Sequence, residues 1–214
     1  AKGEFVRGVS GFRHSIGDAD FPPEPGRYHL FVALNCPWCH RVTLARAVLG
    51  LPASIALDVA FPNRTDEADP AGPNLWEFAP DRIATLTGAT LPECTSETGT
   101  GEGLRLAKQI YQREGSEEQS VPILYDKVAG RIVNNESAEI IRMLDRHADA
   151  LGGAGDRPTL VPDDPAVQAQ IDALNARIYG AINNGAYKAG VSAEQAGYAQ
   201  AYAAYFETLA FLDG

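Results

Sequence analysis

The chain has 214 residues, a net charge of −10 and 45% hydrophobic residues, which is typical of a globular protein with one large or two small domains. The negative charge argues against electrostatic binding of nucleic acid or anionic lipid. There is no apolar run of about 18 residues and no apolar core of a signal peptide at the N-terminus, so we expect a cytoplasmic protein without membrane contact. Three cysteines, two of them close together, suit a reducing compartment and a reactive thiol.

The first half of the chain predicts alternating strands and helices. In chain order these are an extended arm at 1–27, strand 28–34, helix 37–49, strand 54–61, an irregular insertion at 62–103, helix 104–113, strands 121–126 and 131–133, and helix 136–147. Pro37 suits the first helical position, and Gly50 suits the end of that helix. The order β-α-β followed by α-β-β-α predicts a thioredoxin-like α/β domain over residues 1–147.

The second half predicts a different, all-α domain. Residues 148–164 are rich in Gly and Pro and are interpreted as an interdomain linker. Beyond it, the pattern favours helices over 165–182 and 192–212, within an all-α C-terminal domain at 165–214. Two helices bury little apolar surface on their own, so we expect this helical domain to be truncated.

The strand-to-helix turn at Cys36-Pro37-Trp38-Cys39 is the strongest indication of chemistry in the sequence. Cys36 precedes the first helical turn, where unpaired N–H groups and the helix dipole favour a thiolate. We therefore expect the pKa of Cys36 to lie below its ordinary value. Cys39, one helical turn later, is placed to resolve a mixed disulfide formed on Cys36.

Two plainer readings of these cysteines remain open. Four side chains offer zinc-ligand chemistry, namely Cys36, Cys39, His40 and Cys94, although adjacent Cys39 and His40 diverge on a helix and metal binding is not expected. Cys39 is also interpretable as a small buried side chain without a redox role, as free cysteines often are.

Four further segments are candidates for ligand binding, each with a structural alternative. Val121-Pro122 at a strand start is a candidate cis peptide or a simple strand-start proline. Glu136 and Ser137 open a helix, where they either cap it or bind a carboxylate. Trp76 lies in the irregular insertion as a pocket wall or a satellite core residue, and Tyr187 is a proton donor or a packing residue.

On these residues, the chain resembles the Xi-class glutathione transferases, the glutathionyl-hydroquinone reductases. The similar segments are GEFVRGVSGFRHSIG, FPPEPGRYHLFVALNCPWCHR, SVPILYDK, RIVNNESAEIIRML and IDALNARIYGAINNGAYKAG. The resemblance implies a thioredoxin-like domain followed by an all-helical one. It also implies a reaction in which a glutathionyl-hydroquinone and a second glutathione give hydroquinone and glutathione disulfide.

The resemblance also implies roles for individual residues. Cys36 would be the nucleophile, beside Pro37 and Trp38 of the same turn. Trp76 would contact glutathione, and the backbone of Val121 would pair with its cysteinyl group. Glu136 and Ser137 would hold the γ-glutamyl amine and carboxylate, whereas Tyr187 would protonate or orient the leaving hydroquinone.

The sequence departs from this family in ways that keep other functions open. Cys39 stands where the family usually has Ala, and Glu117 to Ser120 stand where a basic residue is usual. A glutaredoxin-like dithiol oxidoreductase using Cys36 and Cys39, with mycothiol or another small thiol, is therefore an alternative, as is a non-catalytic thiol-binding module. Expected partners are small thiols and quinone adducts, and a homodimer is left open.

Overall fold

A computed structural model describes residues 8–82 and 94–214 and divides the chain into two compact units. One unit comprises Ser10–Leu160, and the other consists mainly of the segment Val161–Gly214. The domain boundaries and the linker predicted from sequence stay predictions. Ala148 and Leu151, at the start of the predicted linker, are nevertheless fully buried in the core of the first unit.

The first unit is built on a four-stranded mixed sheet in the order β2-β1-β3-β4. Its strands are β1 (Tyr28–Val32), β2 (Ala56–Val59), β3 (Ile123–Asp126) and β4 (Arg131–Asn134). β1 pairs in parallel with β2 and antiparallel with β3, and β3 pairs antiparallel with β4. Every residue of β1 and β3 is buried, which explains why both strands are mostly apolar, with His29 and Asp126 as their buried polar residues.

Three helices of this unit fall where the sequence predicts helices, with shorter bounds. They are α1 (Pro37–Val48), α2 (Ala107–Gln112) and α3 (Ser137–Arg146), and α1 packs against α3. α1 has Pro37 in its first turn, and Gly50 follows its end with a φ of 70°. α2 begins later than predicted because Leu106 forms a bridge with Glu77 instead of a helical turn.

All the secondary-structure elements described in the second unit are helical. It contains α4 (Pro165–Ile178), a π-helical turn (Tyr179–Asn183), α5 (Gly185–Gly190) and α6 (Gln195–Asp213). The carboxylate of Asp164 accepts a 2.8 Å hydrogen bond from the backbone N–H of Ala166 and caps α4. The predicted 165–182 helix ends earlier as an α-helix, at Ile178, and the π-helical turn follows it. Gly185 lies so close to the Tyr205 ring that an added Cβ would approach it at 3.1 Å.

The fold class predicted from sequence is thus confirmed: a thioredoxin-type α/β unit followed by helices. Among the described residues, no helix combines the length and apolar character needed to cross a membrane. Part of the predicted insertion at 62–103, the segment 83–93, lies outside the described residues.

Candidate functional site

Cys36 is the residue immediately before α1, in extended conformation, and the residue is 8% exposed. Its backbone N–H donates to the Ala33 carbonyl at 3.0 Å, closing the turn that ends β1. Pro37 is exposed and Trp38 is half-buried beside it. The strand, the turn and the helix therefore hold the sulfur at the first turn of α1, as the sequence predicts.

The surroundings of Cys36 lower its pKa to about 6. The largest cause is a hydrogen bond from the Cys39 side chain, and the backbone N–H groups of Cys39 and Trp38 act in the same direction. The positive charge of Arg64 also lowers the pKa, whereas burial opposes the shift. With a pKa of about 6, roughly nine-tenths of Cys36 is thiolate at pH 7.

Cys39 is the opposite case, because burial raises the pKa of its thiol well above the ordinary value. The side chain is fully buried, and its sulfur accepts a 3.4 Å hydrogen bond from the backbone N–H of Ala33. A protonated Cys39 thiol is therefore the donor to the Cys36 thiolate. The two cysteines form one hydrogen-bonded pair in which the proton stays on Cys39.

The zinc alternative finds no supporting geometry in the parts of the chain that the structure describes. Over residues 8–82 and 94–214, no three His, Cys, Asp or Glu side chains are grouped so as to hold a metal ion. The thiol of Cys94 instead faces the Ala60 carbonyl at 3.7 Å.

Val121 lies beside the Cys36 sulfur. The peptide bond between Val121 and Pro122 is cis, as the sequence suggested. Cys36 Sγ lies 3.8 Å from the Val121 carbonyl oxygen, to which the protonated thiol can donate a hydrogen bond. The start of α1 and the segment before β3 therefore meet at the thiol.

Glu136 and Ser137 lie together at the start of α3 and share one cationic partner. The Arg41 guanidinium, on α1, donates to Ser137 Oγ at 2.6 and 3.0 Å and lies 3.5 Å from a Glu136 carboxylate oxygen. Glu136 also accepts from the backbone N–H of Ala138 at 3.1 Å, so it caps α3 as well. Arg41 joins these two residues to the helix that begins at Cys36.

The acidic segment before Val121 is used internally. Glu118 accepts hydrogen bonds from the Asn135 side chain at 2.6 Å and from the backbone N–H of Gly11 at 3.1 Å. Glu117 forms a 3.0 Å ion pair with Lys108. Residues 117–120 thus hold Asn135, the residue before Glu136, and contain no basic side chain.

Trp76 is almost completely buried, at 6% exposure, and belongs to the same apolar cluster as Cys36 and Val121. One face of its ring carries the Arg64 guanidinium, 4.2 Å from the ring centroid. The sequence-based reading of Trp76 as a pocket wall stays a prediction, and its burial shows that the ring is also part of the core.

Comparisons with known proteins show the family to which the chain belongs. The family model for the glutathione S-transferase N-terminal domain matches residues 35–147, more than half of the chain. The chain belongs to the glutathione S-transferase family. The match begins one residue before Cys36 and covers α1 to α3 together with strands β2, β3 and β4, whereas β1 precedes it.

Similar proteins fall in the Xi class of this transferase family, which confirms the predicted resemblance. Glutathionyl-hydroquinone reductase YqjG of Escherichia coli is 38% identical over 99% of this chain. A Xi-class transferase from Natrialba magadii superposes with a TM-score of 0.80 at 34% identity, over 98% of this chain and 60% of that one. The glutathione-bound structure of YqjG gives a TM-score of 0.77 at 35% identity, over 98% of this chain and 65% of that one. The chain spans 61% of the length of the curated YqjG sequence.

Against this transferase fold, some predicted site residues come together and one lies in the other unit. Cys36 and Val121 are in contact, and Glu136 and Ser137 share Arg41. Tyr187 is half-buried in α5 of the second unit.

Sequence reasoning missed two arginines. It named no partner for Arg41, which binds Ser137 and approaches Glu136. It did not consider Arg64, whose charge lowers the pKa of Cys36. The nearby Trp76 was the signal that could have found Arg64, because arginines often stack on tryptophan faces.

Proposed function

We propose that this chain catalyses the glutathione-dependent reduction of glutathionyl-hydroquinones, with Cys36 as nucleophile. The observation that carries the proposal is the thiol of Cys36 at the start of α1, with a pKa of about 6. A thiolate present at neutral pH can attack the sulfur of a thioether adduct. The name of the related YqjG protein supports this substrate class.

The reaction balances in two steps. The Cys36 thiolate attacks the glutathionyl sulfur, an S–S bond forms, and the bond from sulfur to the ring carbon breaks with its electron pair on the ring. A proton on that carbon completes the hydroquinone, which is thereby reduced while the two sulfurs are oxidised. A second glutathione thiolate then attacks the mixed disulfide, giving glutathione disulfide and regenerating the Cys36 thiolate.

The binding roles follow from the chemistry of each residue. Val121 would pair its backbone with the cysteinyl part of glutathione. Glu136 would bind the γ-glutamyl amine, and Ser137 with the N–H groups of α3 would bind its carboxylate. Arg41 supports this assignment because it already orients both side chains.

Aromatic residues would complete the site in this proposal. Trp38 and Trp76 would border the thiol and the quinone ring, with Pro37 fixing the turn between strand and helix. Tyr187 would supply or steady the proton at the ring, a role that general acids fill with typically 10²–10⁴-fold acceleration.

Turnover of a synthetic glutathionyl-hydroquinone, followed by release of hydroquinone, tests the proposal. We expect wild-type protein and the control Cys94→Ser to release hydroquinone with glutathione present, and Cys36→Ser to release none. Hydroquinone release by Cys36→Ser at the wild-type rate would refute the assignment.

A dithiol oxidoreductase is the second candidate, and the hydrogen bond between Cys39 and Cys36 favours it. Here Cys39 loses its proton to solvent, attacks Cys36 of the mixed disulfide and expels the small thiol, leaving a Cys36–Cys39 disulfide that two further thiols reduce.

Peptide mapping after treatment with an oxidised small thiol distinguishes the candidate functions. An internal disulfide supports the dithiol route, a lasting thiol adduct on Cys36 supports the first proposal, and neither product indicates a binding module. The peptide mapping is carried out once with glutathione and once with mycothiol as the small thiol.

A further inference from the structure

The segment from Pro62 to Trp76 is held in one shape by a buried threonine. Thr65 is 4% exposed, and its hydroxyl donates to the Gly72 carbonyl at 2.8 Å and accepts from the Leu75 N–H at 2.9 Å. Its backbone N–H donates to the Leu75 carbonyl at 3.0 Å, and its carbonyl accepts from the Asn74 N–H at 2.8 Å. Four hydrogen bonds on one residue fix the backbone next to Arg64. The Asn35 side chain, next to Cys36, donates a 2.7 Å hydrogen bond to the Pro62 carbonyl, so the same segment is joined to the turn that carries Cys36.

Arg64 is exposed, and its guanidinium lies over the buried ring of Trp76, 4.2 Å from the centroid. Its remaining polar contact is a 3.4 Å hydrogen bond to the Asn74 carbonyl. Within residues 8–82 and 94–214, no carboxylate forms an ion pair with it. Its charge is therefore available to an anion beside the ring.

We propose that Arg64, clamped on Trp76 by the Thr65-centred loop, is a positioning residue that holds negative charge on the Cys36 sulfur. The inference rests on the proposed role of Cys36 as nucleophile. The same charge stabilises the thiolate that is regenerated at the end of each turnover.

The basic residue Arg41 on α1 and the acidic segment before Val121 do not take this role. Arg41 on α1 is directed to Ser137 and Glu136, and the segment before Val121 carries Glu117 and Glu118. Cys39, also on α1, is neutral because burial raises its pKa. On a chain with a net charge of −10, a local cation adds to the hydrogen bonds that favour an anionic sulfur, and it attracts an anionic thiol substrate.

The pH dependence of iodoacetamide labelling at the Cys36 peptide tests this inference in Arg64→Gln. We expect the labelling midpoint to rise by roughly half a pH unit, or about a threefold loss of thiolate, as for removal of one screened charge. Arg64→Lys should restore part of the shift, because the charge returns without the planar stacking. Arg131→Gln is the matched control, since Arg131 also lies over an aromatic ring, that of Phe21, at 5.4 Å.

Salt provides a readout that a purely structural effect of Arg64 would not move. In wild type, added salt should raise the midpoint by screening the exposed charge, whereas Arg64→Gln should respond less. An unchanged midpoint in Arg64→Gln, with the wild-type midpoint still low, overturns the inference and leaves the proposed function intact. A wild-type midpoint at the ordinary pKa of a cysteine overturns the nucleophile assignment itself.

Discussion

The hydrogen bond from Cys39 to Cys36 is the largest cause of the low Cys36 pKa, so removing it should raise that pKa. A hydrogen bond to a charged group is worth about 1.5–3 kcal/mol, and a thiol is a weak donor, so we take the lower end. At about 1.4 kcal/mol per pKa unit, Cys39→Ala should raise the pKa by roughly one unit. The thiolate fraction at pH 7 would then fall from roughly nine-tenths to about one-half.

Cys39→Ser is the matched variant, because a serine hydroxyl of similar size still donates a hydrogen bond to the thiolate. We expect its pKa for Cys36 to stay near the wild-type value, while only Cys39→Ala shifts. The assay is iodoacetamide labelling against pH with peptide-level mass spectrometry, read as a midpoint. The midpoint is preferable to a rate at one pH because thiolates of higher pKa are intrinsically more nucleophilic. A Cys39→Ala midpoint equal to wild type would refute the reasoning.

Three further predictions test the proposed roles of Cys36, Glu136 and Tyr187. The depressed Cys36 pKa should make the free energy of unfolding increase with pH from about 6 to 8.5, by at most about 1.4 kcal/mol per pH unit, because the unfolded state holds the extra proton. Denaturation experiments on Cys36→Ser should show a smaller increase of the unfolding free energy with pH, and an equal increase would contradict the pKa shift. Glu136→Gln keeps the oxygen that caps α3, so the melting temperature of this variant should be unchanged. Its affinity for glutathione, measured by calorimetry, should fall about tenfold, or about 1.4 kcal/mol. A lower melting temperature with unchanged affinity would favour a purely capping role. Tyr187→Phe should slow hydroquinone release about 100-fold or more, yet leave mixed-disulfide formation from glutathione disulfide unchanged; equal effects on both rates would exclude a proton donor.

The elements around Cys36 could be predicted from sequence because each has a local cause. The apolar run ending at Val32, Pro37 at the helix start and Gly50 at its end depend on neighbouring residues only. The cis bond before Pro122 was one of two readings that the sequence left open at this strand start, and the structure shows it. Local signals of this kind gave the fold class and the position of the thiol.

The electrostatics of the site could not be predicted in the same way, because they depend on contacts between distant segments. Arg41 reaches Ser137 across 96 residues of sequence, and no pattern near Arg41 indicates this partner. Arg64 and Trp76 are brought together by the hydrogen bonds of Thr65, which lie in an irregular segment without periodicity. The π-helical turn at Tyr179–Asn183 was missed for a related reason, since its apolar spacing resembles that of an ordinary helix.

Mass spectrometry of the protein after one turnover with a glutathionyl-hydroquinone, without added glutathione, tests the central claim most directly. The account predicts a glutathione adduct on the Cys36 peptide, matched one to one by released hydroquinone, and no adduct on Cys94. An unmodified Cys36 after hydroquinone release, or an adduct confined to Cys94, would contradict it.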